Sequence, residues 1–212
     1  KKVIGGNMAK NTSPDCKQCR REGVKLFLKG ERCLTKCSFD KRPVAPGPHT
    51  NTRKKVSEYG MQLREKQKVR RAYGLLEKQF RLYYEKATKS KESTGWALLK
   101  MLELRLDNVV YRLGLGSSRT ESRQIVNHGH ITVNGKKVNI PSYQVKVGDV
   151  IAVKENKQNL EMFNVIKGAK ISTPKWLEMN TETLTGKVLA LPERDDIDLN
   201  IQEHLIVEYY SR

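Results

Sequence analysis

Residues 96–135 read WALLKMLELRLDNVVYRLGLGSSRTESRQIVNHGHITVNG, and the changes of period within that stretch decide the fold. Leu98, Leu99, Leu102, Leu106, Val109, Val110 and Leu113 recur at spacings of three and four, which places them on one buried helical face. With Ser93-Thr94-Gly95 as its start and Gly114 and Gly116 as its end, the spacing predicts one helix over about 93–113. A second helix is expected from Thr120 through Asn127, stopped by Gly129. Ile131 to Val138 then alternates around Asn134-Gly135, a pair suited to a type I′ hairpin turn because both central residues need positive φ. Val145 to Val153 adds a turn and another strand. The stretch is thus a compact unit of helix, helix, hairpin and strand, and the fold class is α+β with a small antiparallel sheet.

Upstream, Met61, Leu63, Val69, Tyr73, Leu76, Phe80 and Tyr84 form an apolar stripe, so helix is expected from the N-cap Ser57 to about Lys91, with breaks at Gly60 and Gly74. Arg64, Lys66, Lys68, Arg70, Arg71, Lys78 and Arg81 fill much of the remaining surface, either as a solvated face or as an RNA contact. Tyr83 and Tyr84 share helical spacing with Phe80 and read as core rather than as base-stacking rings. Pro43, Pro46 and Pro48 fix an extended linker, because each proline biases the residue before it away from helix. The chain divides as 1–7, 8–42, a Pro-rich linker 43–56, a basic helical domain 57–95, the unit 96–161, and a C-terminal segment 162–212 that packs back on the other parts. Within the last, 201–209 is expected to be a strand and Asp195-Asp196-Ile197-Asp198 a solvated acidic loop. Met8-Ala9-Lys10 resembles a natural start, and Ile4-Gly5-Gly6-Asn7 could be encoded by a purine-rich ribosome-binding site. Residues 1–7 are therefore expected to be upstream read-through.

All four cysteines fall in one window, as Cys16-Lys17-Gln18-Cys19 and Cys33-Leu34-Thr35-Lys36-Cys37. Two close pairs on a short loop suit a structural zinc knuckle, in which four thiolates surround Zn²⁺ and replace a missing core. Lysines and arginines around them, such as Lys17, Arg20, Arg21 and Lys36, would offset the two excess negative charges. The alternatives are four free thiols or two disulfides. The start lacks the apolar run of a secretory leader, and no stretch approaches a membrane span. A cytoplasmic, reducing setting is therefore expected, and it disfavours disulfides.

The net charge of +18 is distributed unevenly: 1–7 carries +2, 8–60 carries +8, 61–95 carries +6, 96–161 carries +4 and 162–212 carries −2. A basic front with a mildly acidic tail suits a polyanion gripped by the first two-thirds of the chain. An anionic membrane would instead select one basic amphipathic helix, whereas these charges span loops, helices and the cysteine window. Membrane and DNA are not expected as partners.

Leu104 to Gly114, Ser118-Arg119, and Arg123-Gln124 through His128-Gly129-His130 to Gly135 resemble the alpha-L RNA-binding module. Their surroundings narrow the choice: Arg20 to Arg32, Ser57 to Arg71, Pro174-Lys175-Trp176-Leu177 and the terminal Glu208 to Arg212. From about Met8 to Arg212 the chain is similar to the family of bacterial small-subunit ribosomal protein number four. Residues 1–7 fall outside that pattern. The second cysteine pair encloses three residues, where zinc-bearing members more often show four. The resemblance implies a structural constituent of the small subunit that binds 16S ribosomal RNA at a multi-helix junction and nucleates assembly of the subunit body. It also implies contact with neighbouring small-subunit proteins, an influence on decoding accuracy, and proximity to messenger RNA where it enters the subunit.

RNA junctions present phosphates, 2′-hydroxyls and shape, which favour guanidinium forks and helix N-termini on a rigid platform. Ser118, Arg119 and Thr120 open the second helix of the 96–161 unit, where unpaired N–H groups favour phosphate. Arg123 and Gln124 lie one turn on, and Arg112 closes the preceding helix. The resemblance implies that these positions face RNA. His128 and His130 read as phosphate or backbone donors, since no carboxylate or thiol near them in sequence completes a ligand or catalytic set. Arg64, Arg70 and Arg71 are the candidates on the helical domain. The same module is appended to pseudouridine synthases and tyrosyl-tRNA synthetases, but the remaining fifty or so residues offer no phosphate loop and no acid-base set. An enzyme is therefore not expected, and the competing reading is a translational regulator or transient ribosome-associated factor.

Overall fold

A computed structural model of the chain describes residues 11–47, 55–168 and 171–212. The proposed read-through at 1–7 and most of the linker after Gly47 lie outside the described residues. The cysteine window forms three short helices, α1 (Asp15–Glu22), α2 (Arg32–Thr35) and α3 (Ser38–Lys41). The basic helical stretch is two helices, α4 (Glu58–Ala72) and α5 (Glu77–Ala87), separated at Gly74, whose φ of 64° suits a residue without a side chain. Gly60 is no break. It lies in the first turn of α4, where its N–H donates to the Ser57 hydroxyl at 3.2 Å and completes the N-cap.

The helix predicted over 93–113 is interrupted, giving α6 (Thr94–Glu103) and α7 (Leu106–Arg112). At the break the backbone pairs with a distant segment. The Val145 N–H donates to the Leu104 carbonyl at 2.9 Å, and the Leu106 N–H donates to the Tyr143 carbonyl at 2.9 Å. Apolar spacing carries no sign of this, because the leucine face continues through the break. Next come α8 (Arg119–Asn127), β1 (Ile131–Val133), β2 (Lys136–Lys137), β3 (Val150–Val153), α9 (Glu161–Asn164), β4 (Leu177–Asn180), β5 (Thr185–Val188) and α10 (Glu203–Ser211). The β1–β2 turn has φ of 50° at Asn134 and 76° at Gly135, as a type I′ turn requires.

The strands form one antiparallel sheet in the order β2-β1-β3-β5-β4. The hairpin 177–188 thus completes the sheet that 131–153 begins. Gly186 in β5 lets the sheet lie directly on α7, since a Cβ there would stand 2.5 Å from Leu113 Cδ1. The strand expected at 201–209 is instead helix α10. Ile206 and Tyr210, one turn apart, face α4–α6, with Ile206 buried and Tyr210 stacked on Tyr84 at 4.6 Å. The Ile-Val run favours a strand locally, but burial of that helical face outweighs the preference.

Two apolar clusters result. One joins Leu26 and Leu28 of the cysteine module to Val69, Phe80, Leu99 and Ile206, and the other joins Val109, Ile125, Ile151, Phe163 and Trp176. Each fully buried side chain of this size contributes about 1.5–3 kcal/mol. Between the clusters lies a buried polar layer. Arg105 donates through Nε and Nη2 to the two Asp107 oxygens at 3.0 and 2.7 Å, and through Nη1 to the Tyr83 hydroxyl at 2.8 Å.

Candidate nucleic-acid interface

The corner between α7 and α8 is set by glycines and a cap. Gly114, at φ 74°, ends α7, and the Ser118 hydroxyl caps α8 by accepting from the Glu121 N–H at 3.3 Å. Ser118 is buried, so its hydroxyl serves the helix, while Thr120 stands exposed beside it.

Arg119 is held on three sides. Its Nε donates to Asn108 Oδ1 at 2.8 Å, and its guanidinium carbon lies 4.6 Å from the Tyr111 ring centre and 5.0 Å from that of Tyr73. Two aromatic faces and one hydrogen bond fix the plane of the fork and leave its terminal N–H edge for an anion. Asn108 is fixed in turn, because its Nδ2 donates to Glu103 Oε2 at 2.7 Å, and the Tyr73 hydroxyl donates to Glu103 Oε1 at 2.5 Å. Asn108, Tyr73 and Tyr111 do not stand out in the sequence. Only the closeness of Asn108 and Tyr111 to Arg112 hints at a shared role.

Arg123 lies one turn along α8, with Nη1 3.6 Å from Asp107 Oδ2. Both its terminal nitrogens are buried without a hydrogen-bond partner among the described residues, and burial lowers its pKa against the opposing pull of Asp107. A small crevice here is lined by Gln18, Arg71, Tyr73, Arg119 and Arg123, with Asp15 and Asp107 among them, so the cysteine module, the end of α4 and the start of α8 meet at one point of mixed charge. Gln124 and His128 are exposed farther along the helix. His130 is half-buried, edge-on to Phe163, and burial followed by the nearby His128 lowers its pKa.

Arg112 does not sit on this face. It is buried, donating through Nε and Nη2 to the Glu103 carboxylate at 3.2 and 3.1 Å and through Nη1 to Asp198. Burial alone would lower its pKa, but Glu103 and Asp198 outweigh that and raise it. Its position at the end of a helix predicts exposure. The partner that buries it, Asp198, is far away in sequence. The acidic loop is therefore part of the architecture as well as solvated surface.

Arg64 and Arg71 are likewise engaged within the protein. Both donate to Glu22 Oε1, Arg64 at 3.2 Å, and so clamp α1 onto α4. Arg70 donates to Gln67 at 2.6 Å and to the Leu75 carbonyl at 3.4 Å. The exposed cations of this domain are others, including Lys78, Arg81, Lys86 and Lys89.

No disulfide joins the four cysteines; Cys19 and Cys33 are buried and Cys16 and Cys37 half-buried. The Lys29 N–H donates to Cys33 Sγ at 3.4 Å, and the Leu26 backbone bonds to Cys19. Among the described residues no three His, Cys, Asp or Glu side chains converge closely enough to hold a metal ion.

Residues 10–103 match the family described as Ribosomal protein S4/S9 N-terminal domain, and residues 104–151 match the S4 domain. The chain is 64% identical over 209 residues to small ribosomal subunit protein uS4 of Ruminiclostridium cellulolyticum, covering 97% of this chain and 100% of that protein. It is 62% identical to the uS4 of Caldicellulosiruptor saccharolyticus and 57% identical to that of Clostridium tetani, at the same coverage of both chains. With both domain matches in sequence order and full-length identity at this level, the chain belongs to the family of small ribosomal subunit protein uS4.

Proposed function

We propose that the chain is a structural constituent of the small ribosomal subunit that binds 16S ribosomal RNA at a multi-helix junction and nucleates assembly of the subunit body. The observation that carries this reading is the full-length likeness to relatives named as proteins of the small ribosomal subunit. The corner geometry supplies a mechanism. Arg119 offers a fixed fork, the first turn of α8 adds backbone N–H groups at Thr120, and exposed cations of the cysteine module and α5 extend the electrostatic footprint. Phosphates spaced as in a folded junction engage these points together, whereas a flexible strand must be ordered first. Contacts with neighbouring small-subunit proteins, proximity to messenger RNA where it enters the subunit, and an effect on decoding accuracy belong to the same reading.

Competition between the 16S 5′-domain junction and bulk tRNA, at roughly 0.1 to 0.4 M salt, tests it, since nonspecific phosphate contact weakens by orders of magnitude over such a range. Preference for the junction should survive the higher salt. Equal loss on both RNAs would remove the claim of specific recognition. A chain that washes off small subunits in high salt would favour a transient factor instead.

The same reading includes Zn²⁺ held by Cys16, Cys19, Cys33 and Cys37. The donor types suit it, four thiols on one short module with backbone N–H groups directed at two of the sulfurs, and metal binding would have to draw those sulfurs closer than the structure places them. Bound there, the metal would supply a structural cross-link and no catalysis. Protein purified from its source should carry one equivalent of zinc, and a strong chelator should unfold residues 11–41 while leaving the β1–β5 sheet folded. Metal-free protein with unchanged melting would exclude the site.

A further inference from the structure

A groove of about 930 Å³ runs where four parts of the chain meet: the turn of the cysteine module, the α7–α8 corner, residues in and after α9 (162–166 and 171–175), and the acidic loop at 195–198. Two of its walls are fixed to each other. Gly30, at φ 56°, lies so close to the corner that a Cβ would stand 2.7 Å from the Ser117 carbonyl oxygen. Phe27, in the same turn, has φ 50°, a conformation that residues with side chains rarely adopt, and its ring is partly exposed at the groove. Leu34 on one side and Val165 on the other are 73% and 76% exposed. Bulky apolar side chains this open, lining one concave surface, mark a place where something docks.

Charge selects the occupant. In a chain of net charge +18, this groove carries Glu31, Asp195, Asp196 and Asp198 on its rim. Asp198 pairs with Arg112 and Asp196 accepts from the Glu193 N–H at 2.8 Å, but Asp195 and Glu31 are exposed, with Lys175 as the exposed cation beside them. A phosphate backbone is repelled from such a rim. An extended polypeptide with cations and bulky apolar side chains matches it on both counts. We propose that the groove docks a lysine- and arginine-rich extended segment of a neighbouring small-subunit protein, its apolar side chains against Phe27, Leu34 and Val165 and its cations against Asp195 and Glu31.

The proposal rests on residence in the small subunit, so its test is made there. The photoreactive residue p-benzoylphenylalanine replaces Val165 or, separately, Leu34, and assembled subunits are irradiated. Both positions are on the surface, so the fold should tolerate the change. The expected product joins this chain to a small-subunit protein through a peptide rich in Lys and Arg. Its yield should fall at least fivefold in an Asp195→Lys, Glu31→Lys background that still assembles. Crosslinks to 16S RNA, to this chain itself, or to no macromolecule would overturn the proposal, as would a protein crosslink indifferent to the charge reversal. An unsubstituted chain that does not join subunits would instead refute the ribosomal reading.

Discussion

Glu103→Ala should lower stability by about 3–5 kcal/mol, the cost of leaving a buried charge without its partner. For a chain of this size that is a fall in melting temperature of roughly 10 °C, measurable by calorimetry or circular dichroism. Glu103 accepts from Tyr73, in the turn after α4, and from Asn108 and Arg112 of α7, and so it ties the two apolar clusters together. Without it, Arg112 keeps only Asp198, whose own side chain is largely exposed. Burial pushes the Glu103 carboxyl up, but Arg112, Arg119 and the Tyr73 hydroxyl outweigh burial and hold its pKa below the ordinary carboxyl range. A carboxyl depressed on folding stabilises above its unfolded pKa, and that contribution is lost as pH falls through the folded value. Glu103→Gln keeps the shape without the charge, so it should cost less than alanine at pH 7 and flatten the loss of stability below about pH 4.5. A Glu103→Ala protein that melts within a degree or two of the parent would show that the polar layer carries no such weight.

What the sequence shows and what it hides divide along this layer. The Asn134-Gly135 turn, the stop at Gly129 and the break at Gly74 are local, set by which residues tolerate positive φ, and the structure has all three. The apolar faces of α6, α7 and α8 are periodic and equally visible. Features that depend on distant partners are not. The break after Glu103 is made by the backbone of Tyr143 and Val145, and Arg112 is buried by Asp198. The β4–β5 hairpin escapes a reading by pattern because its turn puts Leu184 at φ 51° and its inner strand carries Gly186, neither of which marks a strand. Helix α10 is missed because Ile206 and Val207 have the local preference of a strand, while its burial against α4 and α6 is visible only in three dimensions. For the candidate interface, Arg119, Thr120 and Gln124 are suggested by their place at the start of a helix, whereas Arg64 and Arg71 show their charge in the sequence but not Glu22, which occupies it.

Reversing Arg119 and Arg123 together to glutamate should weaken junction binding roughly a hundredfold but reduce the salt dependence by about one phosphate contact, that of Arg119, because the terminal nitrogens of Arg123 are buried beside Asp107. Unchanged affinity would move the RNA face elsewhere on the chain. Arg119 allows a finer test, because its fork is oriented by neighbours that need not touch RNA. Arg119→Lys keeps the charge but loses the stacked plane and the bond to Asn108, so binding should fall about tenfold with the salt dependence nearly intact. Asn108→Ala leaves the guanidinium unanchored at Nε, and a loss of similar size is expected even at temperatures where the variant is fully folded. The two losses should not add. In a double-mutant cycle with Arg119→Ala, removing Asn108 should cost little further affinity, since it acts through the side chain already gone. Additive losses would mean that Asn108 contacts RNA itself or acts through the fold. A drop in melting temperature with unchanged affinity for Asn108→Ala would confine it to the packing of α7, leaving the two tyrosines to hold the fork.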